Sequence, residues 1–322
     1  MSKSYGAKSY GRRLLGRDQR VRYRRRAAEL LAEASTRLHD YKDYVGVTHL
    51  PGDRDRARWG YGRPSNPALE TIVSAGASTY GRNVEAFAGF APDLAQVRRD
   101  GPAPGEPHTR NPWIPGGDAV ALYGLIRTLR PPRYVEVGSG ISTLWVHRAR
   151  RDGGTPTVIT SIDPYPRADV DAVCDRVVRS PLESVDLSVF GELQAGDMVF
   201  VDNSHLALLN SDVATFFFDV LPVLPAGVVV GIHDIYLPDD YPAAWGEYYF
   251  SEQYVLAGLL LGGREWWQPE YATWWVSNQP TLYAPLDPVW AQPNMAGVQA
   301  TGTSFWFRTT GRWEGGQSNG DR

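Results

Sequence analysis

The most regular part of the chain begins with Tyr134-Val135-Glu136-Val137-Gly138-Ser139-Gly140-Ile141-Ser142-Thr143. Its first four residues predict a short strand, and residues 142–151 predict a helix. Between the two, Gly138 and Gly140 permit a tight turn and a close approach of a ligand to the backbone. Ligands of open α/β sheets bind at the carboxyl ends of the strands, so this turn is a candidate binding site.

Downstream of this turn, short apolar runs alternate with helical segments. Strands that are apolar throughout and separated by helices indicate a parallel sheet covered on both faces, which is a doubly wound α/β domain. The further predicted strands are residues 157–162, 176–178, 198–201 and 228–232, and the predicted helices are residues 168–174, 211–224 and 252–261.

The two ends of this domain follow different patterns. Asp118 is a candidate N-cap for a helix through residue 129, which Pro131-Pro132 ends. Residues 271–276 and 304–308 predict two late strands with no long helix between them, and we expect them to pair antiparallel at one sheet edge. Between residues 40 and 115 we expect short helices, such as residues 67–75 and 84–90, joined by irregular loops.

Composition limits the class of protein. The chain has 322 residues, of which 43% are hydrophobic and 21% charged, and this is typical of a globular protein. The single cysteine, Cys174, excludes a disulfide framework and a zinc site built on several thiolates. No apolar segment follows the basic N-terminus, and residues 216–232 are interrupted by an aspartate and two prolines. We therefore expect a cytoplasmic protein without a membrane span.

Charge divides the chain unevenly. Residues 1–26 carry a net charge of +9 and the rest of the chain −12. A flexible, solvated tail is the simpler interpretation, and docking to nucleic acid or an acidic partner is the alternative. The acidic body would repel a phosphate backbone, so we do not expect a nucleic acid substrate. The predicted parts are a basic tail at 1–26, a helical and irregular accessory layer at 27–115 that opens with a helix at 27–38, the α/β domain at 116–310, and a flexible tail at 311–322.

Three residues indicate which cofactor the turn binds. Thr143 stands where a dinucleotide fingerprint would have its third glycine, and Glu136 lies two residues before the first glycine. A carboxylate there would repel a diphosphate but suits the positive sulfonium and amino groups of S-adenosylmethionine. Asp163 ends the second strand, 23 residues after Gly140, where an acid can accept the hydrogen bonds of both ribose hydroxyls.

Polar clusters end the fourth and fifth strands. Asp202 and His205 follow one strand, and His233 and Asp234 follow the other. If the strands are neighbours, these side chains converge on one cavity. The two aspartates could then hold a hard cation such as Mg²⁺. Alternatively, Asp202 orients the acceptor and His205 or His233 acts as the general base that removes its proton. The sequence does not decide between the metal site and the general base.

Six segments occur in an order that resembles the bacterial class I S-adenosylmethionine-dependent methyltransferases, in the small-molecule branch with a His-Asp-Ile-x-Leu-Pro element. The resemblance covers roughly residues 110–310. The segments are Tyr134 to Gly140, Ser161-Ile162-Asp163-Pro164, Phe200 to His205, His233-Asp234-Ile235-Tyr236-Leu237-Pro238, Ser251-Glu252-Gln253-Tyr254 and Ser304-Phe305-Trp306-Phe307.

The resemblance implies a Rossmann-like, mostly parallel seven-stranded sheet with a reversed last strand. More distant relatives, the sugar O-methyltransferases of macrolide pathways and catechol O-methyltransferase, place metal-binding acids where Asp202 and Asp234 stand here. Those relatives usually carry an acid or Asn beside the second acid, whereas Ile235 and His233 flank Asp234 here. The expected cofactor contacts are Glu136, Gly138, Ser139, Gly140, Ser142 and Asp163.

The sequence thus predicts an S-adenosylmethionine-dependent methyltransferase, acting on oxygen of a hydroxylated small molecule or glycan. Asp239 and Tyr241, in the segment after the fifth strand, and Trp113 are candidate acceptor contacts. A nicotinamide-dependent oxidoreductase, or a non-catalytic module that binds through the basic tail, is the alternative. The acceptor, the methylated element and the oligomeric state stay open.

Overall fold

The computed structural model describes residues 56–101, 103–263 and 265–311 of the chain. All of them belong to one compact unit of the chain. The predicted basic tail at 1–26, the helix predicted at 27–38 and the predicted tail beyond residue 311 lie outside the described residues.

Seven strands form one sheet in the order β3-β2-β1-β4-β5-β7-β6. The strands β1 to β5 pair parallel, and β7 runs antiparallel to both β5 and β6. The predicted doubly wound, mostly parallel sheet with a reversed last strand is therefore confirmed. The strands are β1 (Arg133–Val137), β2 (Val158–Ile162), β3 (Arg176–Val178), β4 (Met198–Val201), β5 (Val229–Ile232), β6 (Trp267–Ala272) and β7 (Phe305–Thr309).

The helices lie between these strands and before them. Short 3₁₀ turns complete the connections at Asp171–Val173, Leu182–Ser184, Leu221–Val223, Ala243–Trp245, Ala284–Leu286 and Pro293–Met295. The helices are α1 (Pro67–Ser74), α2 (Ala77–Ala88), α3 (Ala91–Leu94), α4 (Gly116–Leu129), α5 (Ile141–Gly153), α6 (Ser188–Gly191), α7 (Asp212–Thr215), α8 (Glu252–Gly262), α9 (Thr273–Ser277), α10 (Pro280–Tyr283) and α11 (Asp287–Trp290).

The strand order positions the site. From β1 the chain winds outward through β2 to β3, and it then crosses back to β4 on the other side of β1. The carboxyl ends of β1 and β4 therefore lie at the point where the winding direction reverses. In open α/β sheets a crevice forms at this point, because the two neighbouring connections leave towards opposite faces.

The segment before the sheet is part of the same core. In α2, Tyr80 and Phe87 are fully buried, and the Phe87 ring packs edge-on against Tyr271 of β6 at 5.2 Å between centroids. The Asn83 amide donates a hydrogen bond of 2.7 Å to the carbonyl of Glu270. These contacts join α2 to the edge of the sheet.

Three helix predictions are corrected by the structure. Residues 168–174 form only the 3₁₀ turn Asp171–Val173, since the Arg167 amide donates to the Ser139 carbonyl and holds this segment against the glycine turn. The predicted helix 211–224 is α7 followed by a π-turn at Phe216–Val220 and a 3₁₀ turn, because Pro222 cannot donate a helical hydrogen bond. The helix predicted at 84–90 is α2, which begins earlier, at Ala77. Gly81 lies in the first half of α2 and weakens the helical pattern there, because glycine has a low helix propensity.

Two further predictions are wrong in their details. The late strand expected at 271–276 is β6, which ends at Ala272, and residues 273–277 form α9. Ala272 pairs with Phe305, the first residue of β7, so no partner strand exists beyond it and the chain turns into a helix. Helix α4 begins at Gly116, and Asp118 does not cap it.

Among the described helices, none combines the length and hydropathy needed to cross a membrane.

Candidate functional site

The glycine turn brings β1 and β4 into contact. Gly138 has φ +79°, and a Cβ atom there would lie 1.8 Å from the carbonyl oxygen of Asp202. Glycine is thus required at 138 by the protein's own backbone as well as by the left-handed conformation. Gly140 has an extended φ of 171°, and the nearest atom to a Cβ there would be in Arg167. The turn therefore lies directly beside the end of β4.

Asp163 holds the glycine turn in place. Its Oδ2 accepts a 2.6 Å hydrogen bond from the amide of Ser139, and its Oδ1 accepts a 2.7 Å bond from the amide of Tyr165. The hydroxyl of Ser139 accepts a further bond of 2.8 Å from Ser161. Each carboxylate oxygen has two acceptor positions, so Asp163 retains capacity for a ribose hydroxyl.

Glu136 is buried under this turn. The Thr143 hydroxyl accepts a 3.0 Å bond from the amide of Gly140 and donates to Oε2 of Glu136. Burial raises the pKa of Glu136 to about 8, although hydrogen bonds from Ser142 and Thr143 oppose that rise. In the described part of the chain, Oε1 of Glu136 has no hydrogen-bond partner. A buried acceptor without a donor fits a cationic group such as the ammonium of S-adenosylmethionine.

Thr143 is a residue whose role sequence reasoning missed. In the sequence Thr143 marks only the absence of a third glycine, whereas in the structure its hydroxyl closes the turn and fixes the Glu136 carboxyl group. Ser142 beside it is buried and lies at the start of α5. The six predicted cofactor contacts are therefore gathered in one place, at the carboxyl ends of β1 and β2.

The ends of β4 and β5 form what we call the carboxylate–histidine cluster: Asp202, His205, His233 and Asp234. The Nε2 atom of His205 lies 3.4 Å from Oδ1 of Asp202 and 3.3 Å from Oδ2 of Asp234. The Nδ1 atom of His233 lies 3.3 Å from the same Asp202 oxygen and 3.6 Å from Oδ1 of Asp234. The predicted convergence of these four side chains is observed.

The cluster is open on its carboxylate side. The side chains of Asp202 and Asp234 are 16% and 18% exposed, whereas those of His205 and His233 are 7% and 4% exposed. A ligand would therefore meet the two carboxylates first, with the imidazoles behind them.

Each histidine is held from behind by a second buried carboxylate. The Nδ1 atom of His205 lies 2.8 Å from Oε2 of Glu252, and Nε2 of His233 lies 3.3 Å from Oδ2 of Asp118. The sequence pattern shows neither contact: it makes Asp118 a candidate helix cap, and Glu252 is only part of one of the six segments that carry the resemblance. Both are hidden in helices whose tertiary positions the sequence does not show.

Electrostatics favours charged histidines in this cluster. Burial would lower the pKa of His205, but hydrogen bonds to Asp202 and Glu252 and the charge of Asp234 raise it to about 10. Burial also disfavours charge on His233, but Asp234, Asp202 and Asp118 raise its pKa well above the ordinary value. Burial would raise the pKa of Asp202, yet the two histidines hold it far below its usual range. The negative charges of the carboxylates thus strongly stabilise a positive charge in this cluster.

Two residues of the cluster have left-handed backbone. His205 has φ 60° and Asp234 has φ 56°, although neither is glycine. Non-glycine residues with this conformation are uncommon and concentrate at functional sites. In a regular strand, His233 and Asp234 would point to opposite faces, so the turn at Asp234 is what lets both side chains reach Asp202.

Two of the candidate acceptor contacts, Trp113 and Asp239, have no direct contact with the carboxylate–histidine cluster among the described hydrogen bonds and ion pairs. Trp113 is half-exposed, and the Arg167 guanidinium lies 4.7 Å above its ring and 3.9 Å from Oδ2 of Asp202. Asp239 accepts hydrogen bonds from Ser65 and Trp274.

Tyr241 is buried and its hydroxyl accepts a 3.2 Å bond from the Gln253 amide. Its ring packs 6.0 Å from Phe250, which in turn lies 4.9 Å from the ring of His205. Aromatic side chains thus cover the His205 end of the cluster.

One family model matches the chain. Residues 135–235, about a third of the sequence, match a model described as a methyltransferase domain. The match begins in β1 and ends just beyond β5, so it contains both the glycine turn and the carboxylate–histidine cluster. No curated protein matches the chain.

Solved methyltransferase structures are weakly similar to the chain. The SAH-bound methyltransferase PaMTH1 of Podospora anserina is 15% identical, with a TM-score of 0.35, and the match covers 65% of this chain and 92% of that one. An O-methyltransferase from Bacillus cereus in complex with SAH is 12% identical, with a TM-score of 0.32, covering 78% and 93%. A putative O-methyltransferase from Klebsiella pneumoniae is 14% identical, with a TM-score of 0.33, covering 77% and 91%.

The strand order, the glycine turn with its acid at the end of β2, and the family match converge on one conclusion. Residues 135–235 are similar to a methyltransferase domain, and they contribute five strands to a Rossmann-like seven-stranded sheet.

Proposed function

We propose that this protein methylates a hydroxyl group of a small molecule or glycan. The observation that carries the proposal is the position of the carboxylate–histidine cluster. Asp202 belongs to the cluster, and a Cβ atom at Gly138 would lie 1.8 Å from its carbonyl oxygen, so the cluster and the glycine turn lie side by side at the carboxyl ends of β1 and β4. Groups able to orient a hydroxyl and take its proton thus lie beside the place expected for the cofactor.

The residues of the glycine turn provide the binding site for S-adenosylmethionine. Asp163 accepts hydrogen bonds from the ribose hydroxyls, and Oε1 of Glu136 accepts one from the ammonium group. The backbone at Gly138, Ser139 and Gly140 follows the cofactor closely, with Ser142 at the start of α5. When bound, S-adenosylmethionine supplies a methyl group already activated by the sulfonium.

The carboxylate–histidine cluster serves the acceptor. Asp202 and Asp234 orient its hydroxyl group, because theirs are the side chains of the cluster that solvent reaches. His205 or His233 takes the proton in its neutral form, which the positive charge of bound S-adenosylmethionine favours by lowering the pKa of the imidazole. One ring nitrogen of each lies within 3.4 Å of Asp202. Proton removal and alignment are the main tasks left to the enzyme once the methyl group is activated.

The two aspartates also fit a divalent cation, because they place carboxylate oxygens at one open position. Asp202 and Asp234 would hold the ion, which would lower the pKa of a hydroxyl bound to it. Trp113, Asp239 and Tyr241 are the proposed contacts to the rest of the acceptor. Phe250 and Tyr241 exclude water from the His205 end of the cluster.

The test combines cofactor binding with methyl transfer. We expect calorimetric titration with S-adenosylhomocysteine to show micromolar binding, and radiolabelled S-adenosylmethionine to label acceptors in a panel of phenols, sugars and glycosides. Asp202→Ala and Asp234→Ala should lower turnover more than cofactor affinity. An exposed acid outside the crevice, Glu85, provides the control Glu85→Ala. Near-unchanged turnover in both aspartate variants would disprove the proposed acceptor site.

A further inference from the structure

His233 is placed like a metal ligand. Its side chain is buried, and Nδ1 points between the two carboxylates that solvent reaches. One ligand atom each from Asp202, His233 and Asp234 lie within 4.8 Å of one another. Two carboxylate oxygens and one imidazole nitrogen at such spacing form a compact set of three donors with one open side.

The second nitrogen of His233 supports this interpretation. Nε2 lies 3.3 Å from Oδ2 of Asp118, and Asp118 itself accepts 2.7 Å hydrogen bonds from the amides of Thr303 and Ser304. A metal-bound histidine usually donates its other N–H to a carboxylate, which fixes the tautomer and the ring orientation. With Nε2–H directed at Asp118, the lone pair of Nδ1 is directed at the two open carboxylates.

The backbone and Thr303 hold Asp234 in the same arrangement. The left-handed conformation at Asp234 turns its side chain to the side of its neighbour His233. The Thr303 hydroxyl then donates a 3.1 Å bond to Oδ1 of Asp234, and the carbonyl of Thr303 accepts a 2.7 Å bond from Ile235. Asp118 and Asp234 are thereby both tied to the segment that precedes β7.

We infer that Asp202, His233 and Asp234 form a three-residue metal site in which His233 is a ligand, and that it selects a first-row transition ion of the Zn²⁺ type over Mg²⁺. Imidazole nitrogen suits zinc and its neighbours, whereas Mg²⁺ takes oxygen ligands almost exclusively. The inference deepens the proposed function and rests on it, because the ion would occupy the acceptor side of the crevice. It assigns the base role to the other histidine, His205, whose Nε2 faces both aspartates.

The first test compares metals on the unmodified full-length protein. After removal of metal with a chelator, calorimetric titrations with Zn²⁺, Mn²⁺ and Mg²⁺ are run without cofactor or acceptor. We expect one Zn²⁺ to bind per chain, with a dissociation constant lower than that of Mg²⁺ by a factor of roughly 100 or more. Co²⁺ should give visible absorption bands that depend on nitrogen ligation. Equal or tighter binding of Mg²⁺, or no binding of Zn²⁺, would overturn the inference.

Variants locate the site. His233→Gln should weaken Zn²⁺ binding by roughly 10-fold or more and Mg²⁺ binding far less, because only the nitrogen ligand is lost. Asp118→Asn keeps the shape of the side chain and should weaken Zn²⁺ binding by about 10- to 100-fold through the orientation of His233. His147→Gln, which changes a histidine of α5 outside the cluster, should leave both affinities unchanged. Unchanged Zn²⁺ affinity in His233→Gln would remove His233 from the site.

Two measurements separate this inference from the proposed function. Thermal unfolding shows whether each variant folds, and if His233→Gln does not, the Zn²⁺ to Mg²⁺ ratio and the Co²⁺ spectrum of the unmodified protein decide the matter. S-adenosylhomocysteine binding is measured separately on the metal-free protein. Cofactor binding and methyl transfer without Zn²⁺ affinity would reject the metal site alone, whereas Zn²⁺ binding without cofactor binding would reject the methyltransferase function alone.

Discussion

At the scale of single residues, Glu136 gives the clearest pH-dependent prediction. Its pKa is 4.5 in the unfolded chain and about 8 in the folded protein, because it is buried. Between these values the folded state keeps a proton that the unfolded state has lost, so stability falls as pH rises, by up to about 1.4 kcal/mol per pH unit. Glu136→Gln removes this dependence, and its gain over the unmodified protein should be larger at pH 8 than at pH 5.

Urea unfolding at a series of pH values, without cofactor, measures that difference. Glu85→Gln, at an exposed position of α2, is the matched control and should follow the unmodified protein at every pH. A constant difference between Glu136→Gln and the unmodified protein across pH 5 to 8 would show that the buried carboxyl group does not titrate in this range.

Asp163 supports a prediction about the cofactor at the same scale. Asp163→Ala removes the proposed acceptor of the ribose hydroxyls, the bond that holds the glycine turn at Ser139 and the bond to the Tyr165 amide. Since a hydrogen bond to a charged group contributes about 1.5–3 kcal/mol, S-adenosylhomocysteine should bind about 10-fold or more weakly in calorimetry. Asp169→Ala, an exposed acid six residues later, should bind it normally. Equal affinities in the two variants would exclude Asp163 from the cofactor site.

At the scale of elements, two glycines with positive φ separate backbone conformation from packing. A Cβ atom at Gly138 would meet the carbonyl of Asp202 at 1.8 Å, whereas one at Gly154, after α5, would meet no atom within 4 Å. Gly154→Ala should cost only the conformational term, about 1–2 kcal/mol. Gly138→Ala should also force β1 and β4 apart and cost about 3 kcal/mol or more. Chemical denaturation of both variants measures this, and equal losses would contradict the close approach.

Elements were predictable where a local pattern was strong. The strands β1, β2, β4 and β5 are apolar runs bounded by turns, so their existence and direction could be inferred from the alternation with helices. The end of β6 could not be predicted in this way. Ala272 is the last residue of β6 because its partner, Phe305, is the first residue of β7. Pairing between residues 33 positions apart is a tertiary event that no local pattern records.

At the scale of the whole molecule, the helices before the sheet are part of its core. The Phe87 ring is fully buried against Tyr271, and the Cδ1 atom of Phe87 lies 2.1 Å from the place of a Cβ at Gly124 in α4. Phe87→Ala should lower the free energy of unfolding by about 3–5 kcal/mol. The transition should stay single, because α2 and the sheet unfold together.

Phe218 provides the matched control, since it is the same residue type with 67% of its surface exposed. Phe218→Ala should change stability by no more than about 0.5 kcal/mol. Two separate unfolding transitions in calorimetry of Phe87→Ala would show instead that the segment before residue 115 is energetically independent of the sheet.

The sequence by itself determined the α/β alternation, the glycine turn and the acids at the strand ends. These depend on local chemistry: apolar runs that must be buried, glycines that alone accept the turn, and polar side chains where a strand ends. The same local information placed Asp202, His205, His233 and Asp234 at one edge of a parallel sheet, because the carboxyl ends of its strands must lie together.

Only the tertiary structure decided how these side chains are used. Asp118 and Glu252 lie in helices, 115 and 47 residues away in sequence from the histidines they hold. Packing places these carboxylates behind His233 and His205. Each carboxylate binds one ring nitrogen, so Nδ1 of His233 and Nε2 of His205 face Asp202 and Asp234. The physical reason is that the site depends on distances across the fold, whereas a sequence pattern records only neighbours along the chain.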